Sequence, residues 1–466
     1  MDTAGGNSLP PKLCSDGGSK RRVCYYYDPR ISYIDYGEKH IMVPHRVAMA
    51  HGLVNAYGLL DDMDLLRVAP AIKEDLKVAH GEKYLDLLRD LTPANYHCDG
   101  KIQGKAKKHE VGSSTNDNPV IHDLWDYCLR YAGGSLAAAR ALASSEYDIA
   151  INWSGGMHHA FDNKASGFCY VNDIVVAIHA LLDRFRRVLY VDIDAHHGDG
   201  VEKAFLDKSR VMTVSFHQYD GKDFFPRTGG VDDVGKKGGK YRTLNVPLEV
   251  GTGDERYHKL FEPIIKKVMK VFQPDAIVLQ CGADSLAGDR IAGLGLSVRG
   301  HADCVRLLRG YNVPLLLLGG GGYTINHVAS CWCYETAVAI GKEIPDDIPQ
   351  HGYQHYYQSQ GYKLHYHTAS SSRGNAETKH MVDVKRRVME YLEHLSALMA
   401  APSTREEPPC AVDIDVGALF NDSPLGEDPV EGLHRRCGEV DLTEFLIGLG
   451  RKHKLLKRRK VDLELK

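Results

Sequence analysis

The chain holds 466 residues, 43% hydrophobic and 26% charged, with a formal net charge of -3. That length accommodates one large α/β domain with a tail, or two to three ordinary domains, and is enough to bury a sizeable core. The balanced charge excludes the global basic field of a nucleic-acid binder, and with no run of about 18 apolar residues the chain offers no candidate membrane span.

In chain order, residues 1–20 are rich in Gly, Ser, Pro and Lys and read as a disordered tail. They contain no apolar h-region, so no signal peptide is expected. From Arg21 onward short apolar runs alternate with helix-like stretches. The runs lie at 23–27, 148–153, 187–194, 210–216, 243–248, 276–281 and 314–319. Their near-continuous apolarity fits strands buried on both faces, as in a parallel sheet. The segments 171–186 and 254–272 have helical spacing, so the predicted architecture is α/β, with helices covering a mainly parallel sheet. The eleven cysteines are scattered. Cys281 and Cys304 sit in apolar runs, where a free thiol behaves as a small hydrophobe. No CxxC pair suggests a zinc ribbon, and a reducing compartment is expected. After about residue 402 proline and acid replace the core pattern. Residues 403–466 are predicted to be largely disordered, with a short amphipathic helix at 439–450 and a basic cluster, KLLKRRK, at 454–460.

Four of the apolar runs lead straight into polar clusters. In open parallel sheets the functional crevice lies beyond the carboxyl ends of the strands. The run at 187–194 continues as DAHHGDG. Asp194 and His196 stand two apart, so on an extended segment both point to one side, and Asp192 shares their parity. Another run leads to Asp284, a third to His158 and His159, and a fourth to four glycines and Tyr323. Two carboxylates and an imidazole suit zinc with one coordination position left open. Paired histidines can move protons, and a phenol beside the metal can stabilise an oxyanion. Each piece alone has an ordinary explanation. A DxH is usually a polar loop, paired histidines a surface or capping feature, a glycine run a flexible loop and a buried tyrosine core packing. Four such pieces after four separate buried runs point to a metal-dependent hydrolase of unspecified substrate.

The segments SGGMHHA…ASGFCYVNDI, VDIDAHHGDGVEKAF, RVMTVSFH, VLQCGADSLAGDR and LGGGGYT…VASCWCYETA closely resemble the class I zinc-dependent histone deacetylases, in the family's order. The resemblance runs from about Arg21 to Pro402, so a catalytic domain is expected over 21–402. It implies the three-layer arginase/deacetylase α/β fold, with a mainly parallel eight-stranded sheet flanked by helices. It also implies zinc-dependent hydrolysis of acetyl-lysine in proteins, core histones above all, in the service of transcriptional repression. The residues it implies as zinc ligands are Asp194, His196 and Asp284. His159 is implied as general base and then acid, and His158 as its electrostatic support. Asp192 and Asp199 are implied as carboxylates bonded to the two rings, and Tyr323 as the group that binds the acetyl carbonyl. Phe168 and Phe225 match the walls of a narrow tunnel, Gly167 the acceptor for the substrate amide, and Asp117 the rim carboxylate that grips the substrate backbone. Asp192 and His196, with Ser215 and Phe216, resemble a site for a monovalent cation, K+. Co-repressor partners and a nuclear location follow from the same resemblance, with the basic cluster at 454–460 as an import signal. No DNA-reading or membrane-binding motif is present. The terminal VDLEL faintly resembles the alternating-leucine repression motifs of plants.

The rim departs from the family. Arg227 stands where glycine is usual, and Phe161 and Asp162 where two basic residues are usual. Val43 and Asn326 replace a lysine and an arginine that help bind an inositol phosphate, while Arg290 is retained. One cation holds a polyanion much less well than three, so bridging to a co-repressor through inositol phosphate is not expected. Such changes allow two rival readings, a weakly active repressor scaffold and an amidohydrolase of acetylated polyamines. An arginase-like binuclear hydrolase is disfavoured by the single DxH…D set.

Overall fold

A computed structural model describes residues 21–112, 117–366 and 377–400. The tail segments, the predicted helix at 439–450 and the basic cluster at 454–460 lie outside the described residues. Eight strands form one sheet: β1 (Val23–Tyr27), β2 (Asp64–Arg67), β3 (Ile149–Asn152), β4 (Val188–Asp192), β5 (Val211–Gln218), β6 (Thr243–Leu248), β7 (Ala276–Gln280) and β8 (Leu315–Leu318). Their order is β2-β1-β3-β8-β7-β4-β5-β6. Every pairing is parallel, so the sheet is wholly rather than mainly parallel.

The seven predicted runs are seven of these strands. Their apolarity has the expected cause, because successive residues enter different cores. Tyr25, Ile151, Leu189, Val191, Leu279 and Leu317 enter one core. Tyr26, Ala150, Tyr190, Val278 and Leu316 enter the other. The helices His45–Ala56, Asp254–Phe272, Val298–Arg309, Ile325–Ile340 and Lys379–Ala400 close the first core. Asp173–Leu182 and Asp199–Phe205 close the second, and Leu124–Ala143 contributes to both. The result is three layers, helix on sheet on helix. Each fully buried leucine of β8 contributes about 1.5–3 kcal/mol of transfer free energy.

Sequence reading missed β2. It is a four-residue edge strand with three exposed positions, Leu65 being 48% exposed, so it carries no buried run to detect. A second difference bears on the site. β4 ends at Asp192, and residues 194–196 form a bend rather than an extended continuation. Asp194 and His196 are therefore not brought together by strand parity. The His196 backbone N–H donates to Asp194 Oδ1 at 2.9 Å, and this turn folds the imidazole back over the carboxylate.

Candidate active site

β3, β8, β7 and β4 are consecutive neighbours at the centre of the sheet. All run parallel, so their carboxyl ends open on one edge, and the four polar clusters predicted from sequence meet there.

The metal-ligand candidates converge. His196 Nδ1 lies 3.2 Å from Asp194 Oδ1 and 3.0 Å from Asp284 Oδ2, and all three residues are buried. Ligand atoms about 2.0–2.1 Å from a tetrahedral zinc stand about 3.3 Å apart, so the spacing fits such an ion. The charge balance fits as well. Burial opposes charge on the His196 ring, but Asp284 and Asp194 outweigh it and push its pKa up to about 10. Burial and the Asp194 charge push Asp284 up to about 7. Two buried carboxylates this close demand a cation, and a divalent metal meets that demand better than a shared proton. Asp194 Oδ2 is held separately, by the Gly321 N–H at 2.8 Å and the Gln280 amide at 2.9 Å. Asp284 Oδ1 accepts from the Ala195 N–H at 2.7 Å. Gly282 packs so tightly on Asp194 that a Cβ there would overlap its carboxylate.

The tandem histidines are each backed by a carboxylate. His158 Nδ1 is 2.8 Å from Asp192 Oδ2, and His159 Nδ1 is 2.8 Å from Asp199 Oδ1. A carboxylate only accepts, so each Nδ1 donates and each Nε2 is left for the site. His158 Nε2 lies 3.8 Å from Asp194 Oδ2. Burial opposes charge on His158, but Asp192 and Asp194 prevail and push its pKa up to about 9. Burial and the neighbouring His158 charge push His159 down to about 4, against the pull of Asp199. Asp192 also accepts from Tyr190 Oη at 2.5 Å, and it is the register partner of Ser215 on β5.

Tyr323 is 6% exposed and packs edge-on against Phe168, with centroids 5.6 Å apart. Burial, then Asp284 and Asp194, hold its phenol well above the ordinary range, so it keeps its proton and can donate it to a carbonyl oxygen. Phe225, 39% exposed, packs edge-on against His159 at 4.9 Å. Gly167 sits against both His159 and Phe225 with a φ of +48°, where a Cβ would press on both rings. Asp117 is half-buried. The next residue, Asn118, anchors that segment to the site, accepting from the Phe168 N–H at 3.3 Å and donating to the Cys169 carbonyl at 3.1 Å.

Several supporting residues escaped the sequence reading. Arg46 bonds the carbonyls of Gly320 and Gly322, pinning the loop before Tyr323, and lies over the Trp332 ring at 5.2 Å. Asp289 accepts from the Tyr323 N–H at 2.8 Å. Asp173 accepts from the Gly156 N–H at 2.9 Å, the Met157 N–H at 2.8 Å and the Ser135 hydroxyl at 2.5 Å, which shapes the turn leading into His158. Replacing Asp173 with alanine orphans these buried donors, at about 1–3 kcal/mol each. A thermal midpoint lowered by many degrees, with loss of turnover, is expected. An unchanged midpoint would contradict this role. Asp173 and Asp289 belong to segments singled out in the sequence, but only their partners reveal what they do.

Of the departures at the rim, Arg227 is exposed at φ +72°, in a turn closed by its N–H to the Phe224 carbonyl at 2.9 Å. Phe161 pairs with Lys164 in a small bridge, and the Lys164 ammonium lies over its ring at 4.6 Å. Asp162 is exposed, and its carbonyl accepts from the Gly81 N–H at 3.0 Å. Asn326 donates to Gln360 at 2.7 Å, while Val43 is half-buried and Arg290 exposed.

Residues 40–339 match the family described as the histone deacetylase domain. Histone deacetylase 19 of Arabidopsis thaliana is 50% identical over 431 residues, 92% of this chain and 83% of the relative. Histone deacetylase 1 of Oryza sativa subsp. japonica is 52% identical over 407 residues, 87% and 76% of the two chains. Histone deacetylase 1 of Bos taurus is 46% identical over 412 residues, 88% and 82%. The chain belongs to the histone deacetylase family.

Proposed function

We propose that the protein hydrolyses acetyl-lysine at a zinc centre held by Asp194, His196 and Asp284. Membership of the family makes it a metal-dependent hydrolase that removes acetyl groups from histone lysines. The observation that carries the zinc reading is the ligand triangle, with 3.0 and 3.2 Å edges, at the ends of β4 and β7. When bound there, zinc supplies Lewis-acid polarisation of the acetyl carbonyl and activation of water.

The chain's own groups do the rest. The neutral Nε2 of His159 takes the proton of the attacking water and later gives it to the leaving amine. His158, held by Asp192, gives electrostatic support beside the developing oxyanion. Asp192 and Asp199 fix both rings in the Nδ1–H form. The Tyr323 hydroxyl donates to the carbonyl oxygen as its charge grows. Acetate and lysine result. Phe168 and Phe225 face the methylene stem of the substrate, which is neutral until hydrolysis and is cheaply desolvated. The freed ammonium is not, and this favours release. The Gly167 carbonyl accepts the substrate amide N–H, and Asp117 holds the peptide backbone at the rim.

Residues 21–402 form the catalytic domain. Asp192 and His196, with Ser215 and Phe216, would hold a potassium ion, which would supply structural support to the site. Recruitment to chromatin belongs to co-repressor proteins, without an inositol phosphate bridge, since Val43 carries no charge and Asn326 is engaged with Gln360. The protein works in the nucleus, entering by the cluster at 454–460. No described helix is long and apolar enough to cross a membrane.

Tyr323→Phe tests the carbonyl-binding role. Steady-state hydrolysis of an acetylated histone-tail peptide is expected to lose about 10²–10³-fold in kcat, the usual cost of one oxyanion donor, with zinc content unchanged. Undiminished turnover would remove Tyr323 from the mechanism.

A further inference from the structure

A second buried cluster lies behind the metal-ligand triangle. His301, on the helix Val298–Arg309, and Cys331 and Glu335, on the helix Ile325–Ile340, are all fully buried. His301 Nδ1 is 2.7 Å from Glu335 Oε1 and 3.3 Å from Cys331 Sγ. The three donor atoms would permit a metal by proximity alone. However, 2.7 Å is a proton-sharing distance, well under the roughly 3.3 Å edge of a tetrahedral zinc site. The cluster is a hydrogen-bonded strut, and its other end shows what it supports.

His301 Nε2 lies 3.0 Å from the Gly282 carbonyl. A carbonyl only accepts, so Nε2 carries a proton, and Nδ1 shares another with Glu335. Gly282 caps the one-turn helix Ala283–Ser285 that presents Asp284. Its own N–H donates to Gln280 Oε1 at 2.7 Å, and the Gln280 amide donates to Asp194 Oδ2 at 2.9 Å. One residue, Gly282, therefore joins both ligand carboxylates to the His301–Glu335 pair through the two peptide units that flank it. Glu335 also lies on the helix that begins just after Tyr323.

Resting on the zinc reading above, we infer that His301 and Glu335 are positioning residues for the metal centre, fixing the Gly282 peptide so that Asp194 and Asp284 stand at ligand spacing. Burying an ionisable pair is poor value for stability, since a well-packed apolar pair of similar volume often does as well or better. Groups that hydrogen-bond to ligands, by contrast, commonly set metal affinity. The Gly282 carbonyl also accepts from Ser285 Oγ at 3.3 Å, so His301 supplies the shorter of the two side-chain contacts that orient it.

The test measures zinc affinity of the full chain by competition with a chromogenic chelator, alongside the thermal midpoint of the metal-free protein. His301→Ala and the double variant His301→Leu/Glu335→Leu are expected to bind zinc about 10–100-fold more weakly. The double variant keeps the metal-free midpoint, because it refills the site with apolar volume. Glu335→Gln retains wild-type affinity, because its amide donates to Nδ1 and leaves the Nε2 proton on Gly282. Should His301→Ala fail to fold, the double variant answers alone. Wild-type affinity in the double variant overturns the inference, as does a loss of affinity that only follows loss of thermal stability. A wild-type chain that binds no zinc overturns the zinc reading itself, which distinguishes the two failures.

Discussion

Asp194→Ala is expected to abolish both zinc binding and peptide deacetylation while leaving the chain folded. The carboxylate supplies Oδ1 to the ligand triangle and Oδ2 to the Gly321 and Gln280 donors. Its removal therefore takes away a ligand and loosens the loop before Tyr323 together. The loss exceeds the roughly 10–100-fold in affinity that a supporting group of a ligand typically costs. The change also relieves the repulsion between the two carboxylates, which offsets part of the cost of orphaning the Gly321 and Gln280 donors. In the metal-free chain Asp194 is one cause of the raised Asp284 pKa, and without it Asp284 and His196 form a simple ion pair. Metal analysis of the purified variant beside wild type checks this. One zinc per chain in the variant would place the metal elsewhere.

His159→Ala is expected to lower kcat by about 10²–10⁴-fold, the range for loss of a positioned general base, with zinc retained. His159 is buried against His158, their ring centroids 3.9 Å apart, and against Phe225. Asp199 holds its Nδ1. Burial first, and then His158, keep it neutral well below the ordinary histidine range. The sign follows. A base is lost when it gains its proton, so wild-type kcat falls as pH drops through this depressed pKa, and not near the usual histidine value. The small residual rate of the variant lacks that limb. A variant with undiminished kcat would transfer the base role away from His159.

Much of this site was legible in the sequence because its chemistry is carried by strand ends. A strand buried on both faces leaves a continuous apolar run, and polar residues that follow it stand out. Asp194, His196, Asp284, His158, His159 and Tyr323 all declared themselves in that way, and the family resemblance then assigned them roles. The convergence itself was not legible. It depends on β3, β8, β7 and β4 being neighbours in the sheet, an order that chain position does not reveal. The reason for the Asp194–His196 pairing also differed from the parity expected, since a bend rather than an extended segment brings them together. Supporting residues were least visible. Arg46, Asp173, Gln280 and His301 sit inside helices or runs whose pattern is set by burial, and only their partners distinguish them from ordinary buried polar groups.

The rim departures bond to residues outside the ligand triangle: Arg227 to Phe224, Asp162 to Gly81 and Asn326 to Gln360. Arg227 and Asp162 are exposed, and Phe161 is occupied with Lys164. Their effect is therefore expected on the choice of peptide, through KM, with the rate at the metal centre preserved.

The most direct measurement is zinc titration of the metal-free chain, following hydrolysis of an acetyl-lysine histone peptide and bound metal in the same samples. Turnover that rises linearly and saturates at one zinc per chain is the predicted result. Full turnover in the metal-free chain, or saturation of zinc with no turnover at any ratio, would contradict a zinc-dependent deacetylase centred on Asp194, His196 and Asp284.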